Sequence, residues 1–193
     1  MSHLPIRPMP GRLLAVAGAL VAACSITPVA CAATSTSAAA HGAAATGPCT
    51  GAADLHLRIA GSQHNEKAGI TYYTLDFTNT SRSTCSLSGY PYVSMVSRAG
   101  RQLGSPAGRG LMTVAPLVVL APGATAHTTL AYYGGKVTSG RGCGPVATAY
   151  ELRVYVAGQK LAMYAAMGVH ACTRAGQVYL TITQAFRAGA DPS

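Results

Sequence analysis

The amino-acid sequence predicts an all-β protein in which antiparallel sheets pack face to face. Three observations support this fold class. From residue 54 onward, apolar residues recur with a period of two, which is typical of half-buried strands. Helical periodicity is scarce, and turn signals containing glycine or proline separate the apolar runs at short intervals. A series of seven or eight short strands indicates an immunoglobulin-like β-sandwich, with a barrel as the alternative architecture.

The first predicted strands lie between residues 55 and 103. Residues 55–59 alternate leucine or isoleucine with His56 and Arg58. Residues 70–78 alternate in the same way and are rich in the β-branched and aromatic side chains that favour strands. Residues 92–97 form the next strand, and the glycine turn after them predicts a hairpin back through residue 103.

The second half of the chain continues the pattern. Residues 113–120 and 124–133 are apolar runs joined by Ala121-Pro122-Gly123, in which proline presets the first turn position and glycine accepts a positive φ. This arrangement predicts a hairpin. Residues 150–156 and 178–182 alternate again and complete the predicted strands.

The first 32 residues have the composition of an export signal. Arg7 and Arg12 supply positive charge before an uncharged run of eleven residues at 13–23, and residues 30–32 offer small side chains to a signal peptidase. A membrane-spanning helix needs about 20 residues, so we expect none in the mature chain. The sequence therefore predicts a secreted, extracellular or cell-surface protein.

A lipoprotein signal overlaps this leader. Residues 21–24, Val-Ala-Ala-Cys, fit a bacterial lipobox in which Cys24 is lipidated. Cysteine parity favours release instead, because cleavage after residue 32 leaves four cysteines whereas cleavage before Cys24 leaves Cys31 without a partner. Both forms stay open. The predicted organisation is a signal peptide at 1–32, a disordered Ala/Ser/Thr/Gly linker at 33–48, a β-sandwich at 49–187 and a tail at 188–193.

Four cysteines of the mature chain are predicted to form two disulfides. If successive strands alternate in direction, Cys49 and Cys85 flank the first two strands and lie at one end of the domain. Cys143 and Cys172 each precede a strand running the other way and lie at the opposite end. Of three pairings, this favours Cys49 with Cys85 and Cys143 with Cys172. Asn79 lies between Cys49 and Cys85 in the sequence, and its side chain is expected to hydrogen-bond to the backbone of its own turn.

One cluster suggests a metal site. Met163, Met167 and His170 offer thioether and imidazole groups, which suit Cu(I). Residues 161–169 are rich in alanine and methionine and would also suit a short helix, on which the spacing of four and then three places all three side chains on one face. Methionines with this spacing also fill protein cores. A copper-binding envelope protein is the alternative function, and the leading interpretation needs no cofactor.

Tyrosine is the commonest aromatic residue, with ten tyrosines against two phenylalanines and no tryptophan. The doublets Tyr72-Tyr73 and Tyr132-Tyr133 must each send one ring outward, because neighbours on a strand face opposite sides. Exposed tyrosines often anchor protein interfaces. We therefore take Tyr72 and Tyr132 as candidate protein-binding residues, while rings that only cover sheet edges are the alternative interpretation.

The charge pattern disfavours several functions. The formal net charge is +9, but basic residues are scattered singly and form no cluster of the kind that grips nucleic acid. There is no phosphate-cradling glycine loop and no nucleophile elbow. Asp54, Asp76 and Glu151 are candidates for carboxylate chemistry, which would require them to meet in the fold. We expect a protein that is not an enzyme and does not bind nucleic acid.

Several motifs together resemble a known family. Asn-Thr-Ser at 79–81 is followed by Cys-Ser-Leu-Ser-Gly-Tyr-Pro at 85–91, and later by Leu-Ala-Pro-Gly at 120–123 and Cys-Gly-Pro at 143–145. From residue 49 to about 183, the chain is similar to the actinobacterial exported domain of unknown function numbered 4232.

The resemblance implies a secreted or lipid-anchored cell-envelope protein with a β-sandwich domain, and it transfers no catalytic residue. Ala157-Gly158 departs from the family pattern, which often has proline there. The leading hypothesis is a non-enzymatic binding or structural module of the envelope, whose partner is a protein or a cell-wall component.

Overall fold

The computed structural model describes residues 47–110 and 114–190, and most of the regular structure is β-strand. The strands in these residues are β1 Leu55–Asn65, β2 Ile70–Asn79, β3 Cys85–Leu87, β4 Tyr92–Val96, β5 Gln102–Leu103, β6 Gly108–Arg109, β7 Val118–Leu120, β8 Thr125–Tyr133, β9 Val146–Tyr155, β10 Met163–Cys172, β11 Leu180–Ile182 and β12 Arg187–Ala188. Short 3₁₀ turns lie at Gly51–Ala53 and Gly134–Lys136. The all-β prediction is confirmed. More strands form than predicted because six of those described have only two or three residues, too few for a recognisable alternation.

The strands form two large sheets and one small ribbon. The larger sheet has the order β1-β2-β8-β11-β6, with β12 also paired to β8, and the smaller has the order β10-β9-β4-β5. Among the described strands, only β6 and β11 pair in parallel, and the other pairs are antiparallel. The separate ribbon consists of β3 and β7. Because the described strands of the two large sheets share no ladder, the architecture is a sandwich and not the alternative barrel.

The core lies between the inner faces of the two large sheets. Its buried side chains include Leu57, Leu75, Phe77, Val93, Met95, Leu130, Leu152 and Val154. On β9 the buried residues Leu152 and Val154 follow the predicted period of two, whereas on β2 residues 74–77 are buried in succession, so both faces of β2 are covered there. The rings of Phe77 and Phe186 meet edge to face with centroids 5.1 Å apart, a contact that adds about 0.5–1.5 kcal/mol beyond area burial.

The turn at residues 121–123 forms as predicted, but the strands on either side of it do not pair. Gly123 has a φ of 80°, and the Ala124 amide donates to the Ala121 carbonyl at 2.9 Å. β7 pairs with β3, whereas β8 pairs with β2 and β11. The predicted hairpin is therefore wrong. Turn chemistry sets the local reversal, but the chain crosses there from the ribbon to the larger sheet.

The alanine- and methionine-rich stretch that would also suit a helix is strand β10. It pairs antiparallel with β9, and the register shifts between Ala166 and Val169. Its residues alternate between buried and exposed as far as Gly168. Helix propensity differs by only tenths of a kcal/mol among such residues, so pairing with a neighbouring strand decides the conformation.

The cysteines pair as Cys49–Cys85 and Cys143–Cys172, which confirms the prediction made from strand direction. The first bridge joins the segment before β1 to the start of β3. The second joins the loop before β9 to the end of β10. The two disulfides therefore staple opposite ends of the sandwich.

Parts of the predicted organisation lie beyond the described residues. These parts are the signal peptide, the lipidation site Cys24 and residues 33–46 of the linker. Pro48, at the end of the predicted linker, forms a parallel bridge to Ser86, and Ala188 in the predicted tail belongs to β12. Among the residues that the structure describes, no helix is long and apolar enough to cross a membrane.

Asn79 is a buried hub at the end of β2. Its side-chain amide donates to the Ser83 carbonyl and to the Leu120 carbonyl, both at 2.9 Å. Its side-chain oxygen accepts from the Ser81 amide at 2.9 Å and from the Ser81 hydroxyl at 2.8 Å. The prediction that Asn79 bonds its own turn is confirmed, and the bond to Leu120 extends this role to strand β7.

We expect Cys85→Ser to lower the free energy of unfolding by about 2–5 kcal/mol, because loss of the bridge to Cys49 frees the unfolded chain. Urea denaturation measures the loss. Because Cys85→Ser leaves Cys49 with a free thiol, the double variant Cys49→Ser, Cys85→Ser is the control, and its free energy of unfolding should match that of the single variant. A midpoint equal to that of the parent would show that this bridge does not stabilise the domain.

We expect Asn79→Asp to cost at least about 2 kcal/mol, because a buried carboxylate would face the Ser83 and Leu120 carbonyls without a proton to donate. Denaturant unfolding gives the free energy. Arg82→Ala, an exposed substitution in the same turn, is the control and should stay within about 0.5 kcal/mol of the parent. Equal losses for the two variants would contradict the role of Asn79 as a hub.

Candidate functional site

The predicted copper ligands do not come together. Met163 and Met167 are buried, whereas His170 is exposed on the other face of β10. The prediction of a single face assumed a helix, but in a strand residues three apart point to opposite sides. Cys172 is bonded to Cys143 and has no thiolate to offer. Among the described residues no group of three or more His, Cys, Asp or Glu side chains is placed to hold a metal ion.

The candidate carboxylates are also apart. Asp54 accepts from the Thr50 amide at 2.6 Å and from the Thr50 hydroxyl at 2.5 Å, at the start of the domain. Asp76 is buried on the larger sheet and accepts from Arg58 Nη2 at 2.7 Å. Glu151 lies on β9 of the smaller sheet. The described carboxylates therefore form no pair able to share a proton or a substrate.

Tyr132 faces the core. Its ring is buried and meets the ring of Tyr179 edge to face at 6.4 Å, and its hydroxyl donates to the His170 carbonyl at 2.9 Å. The prediction that Tyr132 is an exposed anchor is therefore wrong. The neighbouring Tyr133 is partly buried and packs against the edge of the core, with Lys136 Nζ 4.5 Å from its ring centroid. Alternation predicts that one ring of a doublet is exposed, but it does not say which.

Tyr72 is half-buried near the tip of the β1–β2 hairpin. It lines an open depression with Gln63, His64, Asn65, Glu66 and Lys67. All of these other side chains are polar or charged. A protein-binding role for Tyr72 stays a prediction.

The outer face of the smaller sheet carries a group that the sequence analysis did not single out. We call Tyr92, Arg153, Tyr155 and Tyr164 the tyrosine face. Tyr92 on β4 pairs with Tyr155 on β9, and Arg153 on β9 pairs with Tyr164 on β10. Tyr92 is 53% exposed and Tyr164 is 51% exposed. Three neighbouring strands thus present aromatic rings to solvent on one surface.

Alternation of buried and exposed residues explains this orientation. Val93, Val154 and Met163 are buried in the core, so their neighbours Tyr92, Tyr155 and Tyr164 point outward. Adjacent strands lie about 4.8 Å apart, which is close enough for rings on paired residues to form a continuous surface. The alternation is visible in the sequence, but the pairing of β4, β9 and β10 is not.

Arginines accompany these tyrosines. Arg153 Nη2 donates to Gln102 Oε1 at 2.8 Å, while its buried Nε has no hydrogen-bond partner among the described residues. Arg109 stacks over Tyr92 with its Cζ 4.8 Å from the ring centroid. Arg98 stacks in the same way, and at the same distance, over the exposed Tyr150 of β9.

This surface is therefore aromatic and positively charged. The acidic residue of β9, Glu151, lies on the same sheet. Guanidinium groups bind carboxylates and phosphates, and a cation over a ring is attracted to its face. Exposed tyrosines add flat apolar planes with a polar tip. Such a surface can bind a ligand that combines rings with negative charge.

Comparison with known proteins identifies a family and leaves the activity open. A family model described as "Domain of unknown function (DUF4232)" matches residues 49–185. No curated protein and no solved structure matches the chain. The comparison therefore assigns no activity to the tyrosine face.

The buried Tyr179 predicts a loss of stability at high pH. Burial raises the pKa of Tyr179 to about 12 from an ordinary 10.0, and the neighbouring Tyr132 adds to the rise. Because the unfolded chain loses this proton near pH 10 and the folded chain holds it to about 12, the stabilisation is complete below pH 10. We expect the free energy of unfolding to fall as the pH rises from 10 toward 12.

Urea unfolding at several pH values between 8 and 11.5 measures this fall. Tyr179→Phe keeps the ring, lacks the ionisable hydroxyl and loses the 3.1 Å bond to the Leu103 carbonyl. We expect it to be about 1 kcal/mol less stable at pH 8 and to decline less steeply above pH 10. Parallel declines for parent and variant would refute the assignment to Tyr179.

Proposed function

The chain belongs to the DUF4232 family of domains of unknown function, and from its tyrosine face we propose that it is a non-enzymatic binding module of the cell envelope. The ligand we propose is an anionic polysaccharide. The tyrosine face carries the proposal, because three strands bring two exposed rings, the half-buried ring of Tyr155 and the half-buried Arg153 to one side of the smaller sheet.

The aromatic part of the surface supports binding of sugar rings. Tyr92, Tyr155 and Tyr164 stand on sheet positions held by backbone pairing. A tyrosine has only two side-chain torsions, so holding it against a ligand costs little conformational entropy. The flat faces offer stacking surfaces, and the hydroxyls offer hydrogen bonds at the edge.

The charge supports an acidic ligand. Arg109 and Arg153 lie at these rings, and Arg98 lies further along the same sheet over Tyr150, against Glu151 on β9. The whole chain has a formal net charge of +9, which attracts polyanions over longer distances. Arginine binds carboxylate or phosphate through two parallel hydrogen bonds, which adds geometric selectivity.

Location outside the cytoplasm is supported by two features. The domain has two disulfides, which persist in oxidising compartments. The first 32 residues also have the charge and apolar run of an export signal. A binding role without catalysis is supported by the separation of the carboxylates Asp54, Asp76 and Glu151.

We expect the exported protein to bind polygalacturonate, a polyuronate, and to bind the neutral polymer dextran much more weakly. The double variant Tyr92→Ser, Tyr164→Ser should weaken polyuronate binding tenfold or more, and Arg153→Gln should do so by a similar factor. Affinity electrophoresis with each polymer in the gel measures binding, and added salt should weaken it.

Tyr133→Ser is the matched control, because this ring stands on the larger sheet beside Lys136. It should bind as the parent does. Equal retardation by dextran and polyuronate would overturn the anionic ligand. Full binding by the Tyr92 and Tyr164 double variant would overturn the tyrosine face as the site.

A further inference from the structure

A second surface lies at the end of the sandwich that holds the Cys49–Cys85 bridge. Three apolar side chains are exposed there and in the segment leading to it: Val114 is 96% exposed, Leu117 is 65% exposed and Val119 is 52% exposed. We call these three residues the apolar edge. Single exposed apolar residues are ordinary, but large ones grouped within a short segment mark contact surfaces.

The position of Val119 is informative. On β7, Val118 and Leu120 are buried, and Val119 between them points outward. Its partner on β3 is Ser86. An outward strand position of this kind is usually polar, and burial in the core does not explain a valine there.

The apolar edge lies beside the point where the N-terminal segment joins the domain. Ser86 pairs with Val119 on one side and forms a bridge with Pro48 on the other. The Ser86 amide donates to the Gly47 carbonyl at 3.0 Å, and the Cys49 amide donates to the Ser86 carbonyl at 2.9 Å. Since strands are spaced by about 4.8 Å, Val119 is about 10 Å from this entry segment. The described chain therefore begins, at Gly47, next to the apolar edge.

Exposed cations surround the same end. Arg187 on β12 lies against β7. Arg82 lies in the turn that Asn79 ties to the carbonyl of Leu120, the last residue of β7. Lys160 lies in the turn after β9, whose Ala157 shares a small cleft with Pro48.

The acidic group nearest to this end is already bonded. Asp54 accepts two hydrogen bonds from Thr50 within its own turn. The cations that surround the apolar edge therefore outnumber the acidic groups described there. Exposed apolar side chains ringed by cations are the combination that binds anionic bilayer surfaces, because the former enter the headgroup region and the latter meet lipid phosphates.

We propose that this end of the domain docks on an anionic lipid surface. Val114, Leu117 and Val119 enter the headgroup layer, and Arg82, Lys160 and Arg187 contact lipid phosphates. Gly47, where the described chain begins, then lies on the membrane side. This inference is independent of the proposed polysaccharide site, which lies on the outer face of the smaller sheet.

A tryptophan reporter tests the proposal, because the chain contains no tryptophan. The exported protein carrying Cys24→Ser, which removes any lipid anchor, is prepared with Leu117→Trp. We expect vesicles of equal phosphatidylglycerol and phosphatidylcholine to shift its fluorescence to the blue and bromine-labelled lipids to quench it. Pure phosphatidylcholine vesicles should require at least tenfold more lipid for the same shift.

Val178→Trp in the same background is the control, since Val178 is 47% exposed and precedes Tyr179, which packs toward the opposite end of the domain. It should show neither shift nor quenching. Equal changes at both positions, or none at Leu117→Trp, would overturn docking through the apolar edge. A shift that depends on protein concentration without vesicles would also overturn it, because a second copy of the chain would then cover this surface.

A reporter-free variant separates insertion from general attraction. Leu117→Ser with Val119→Thr removes apolar surface from exposed positions and leaves every cation in place. We expect co-sedimentation with the anionic vesicles to fall tenfold or more, with an unchanged circular dichroism spectrum. Unchanged co-sedimentation would show that charge alone holds the protein and would refute insertion.

Discussion

The hydrogen bonds of Asn79 are the constraint on which one end of this sandwich depends. A buried amide side chain costs free energy unless its donor and acceptor groups are bonded. Here the side chain is bonded to Ser81, Ser83 and Leu120. The backbone of Asn79 also donates to Ala124 and accepts from Gly123. Asn79 therefore connects the end of β2, the turn to β3, the end of β7 and the start of β8. The Cys49–Cys85 disulfide joins the segment before β1 to the start of β3 at the same end.

The two large sheets use their outer faces differently. On the larger sheet, Asp76 is buried and paired with Arg58, and β12 pairs with β8 beside it. One carboxylate oxygen of Asp76 has no partner among the described residues, which makes the pair with Arg58 more important for its burial. On the smaller sheet, the outer face carries exposed tyrosines instead. The outer face of the larger sheet thus holds a buried carboxylate, whereas the outer face of the smaller sheet presents tyrosine rings to solvent.

The tyrosine face and the apolar edge are compatible in one molecule. The first lies on one side of a sheet and the second at an end of the domain, beside Pro48. A protein held to a membrane by its end can present the side of its sheet to a polymer above the membrane. Tyr92 and Val119 stand on paired strands next to buried core residues, whereas Val114 and Leu117 lie in the segment before β7.

The sequence by itself determined the all-β class, most of the long strands, the disulfide pairing and the local bonding of Asn79. All of these depend on nearby residues or on the simple alternation of strand direction. Only the tertiary structure decided that β7 leaves β8 and pairs with β3, that residues 163–172 form a strand, and that Tyr132 faces inward. It also decided that Tyr92, Tyr155 and Tyr164 share one surface. A period of two assigns residues to two faces, but which face is buried and which strands are neighbours depend on packing between segments far apart in the chain.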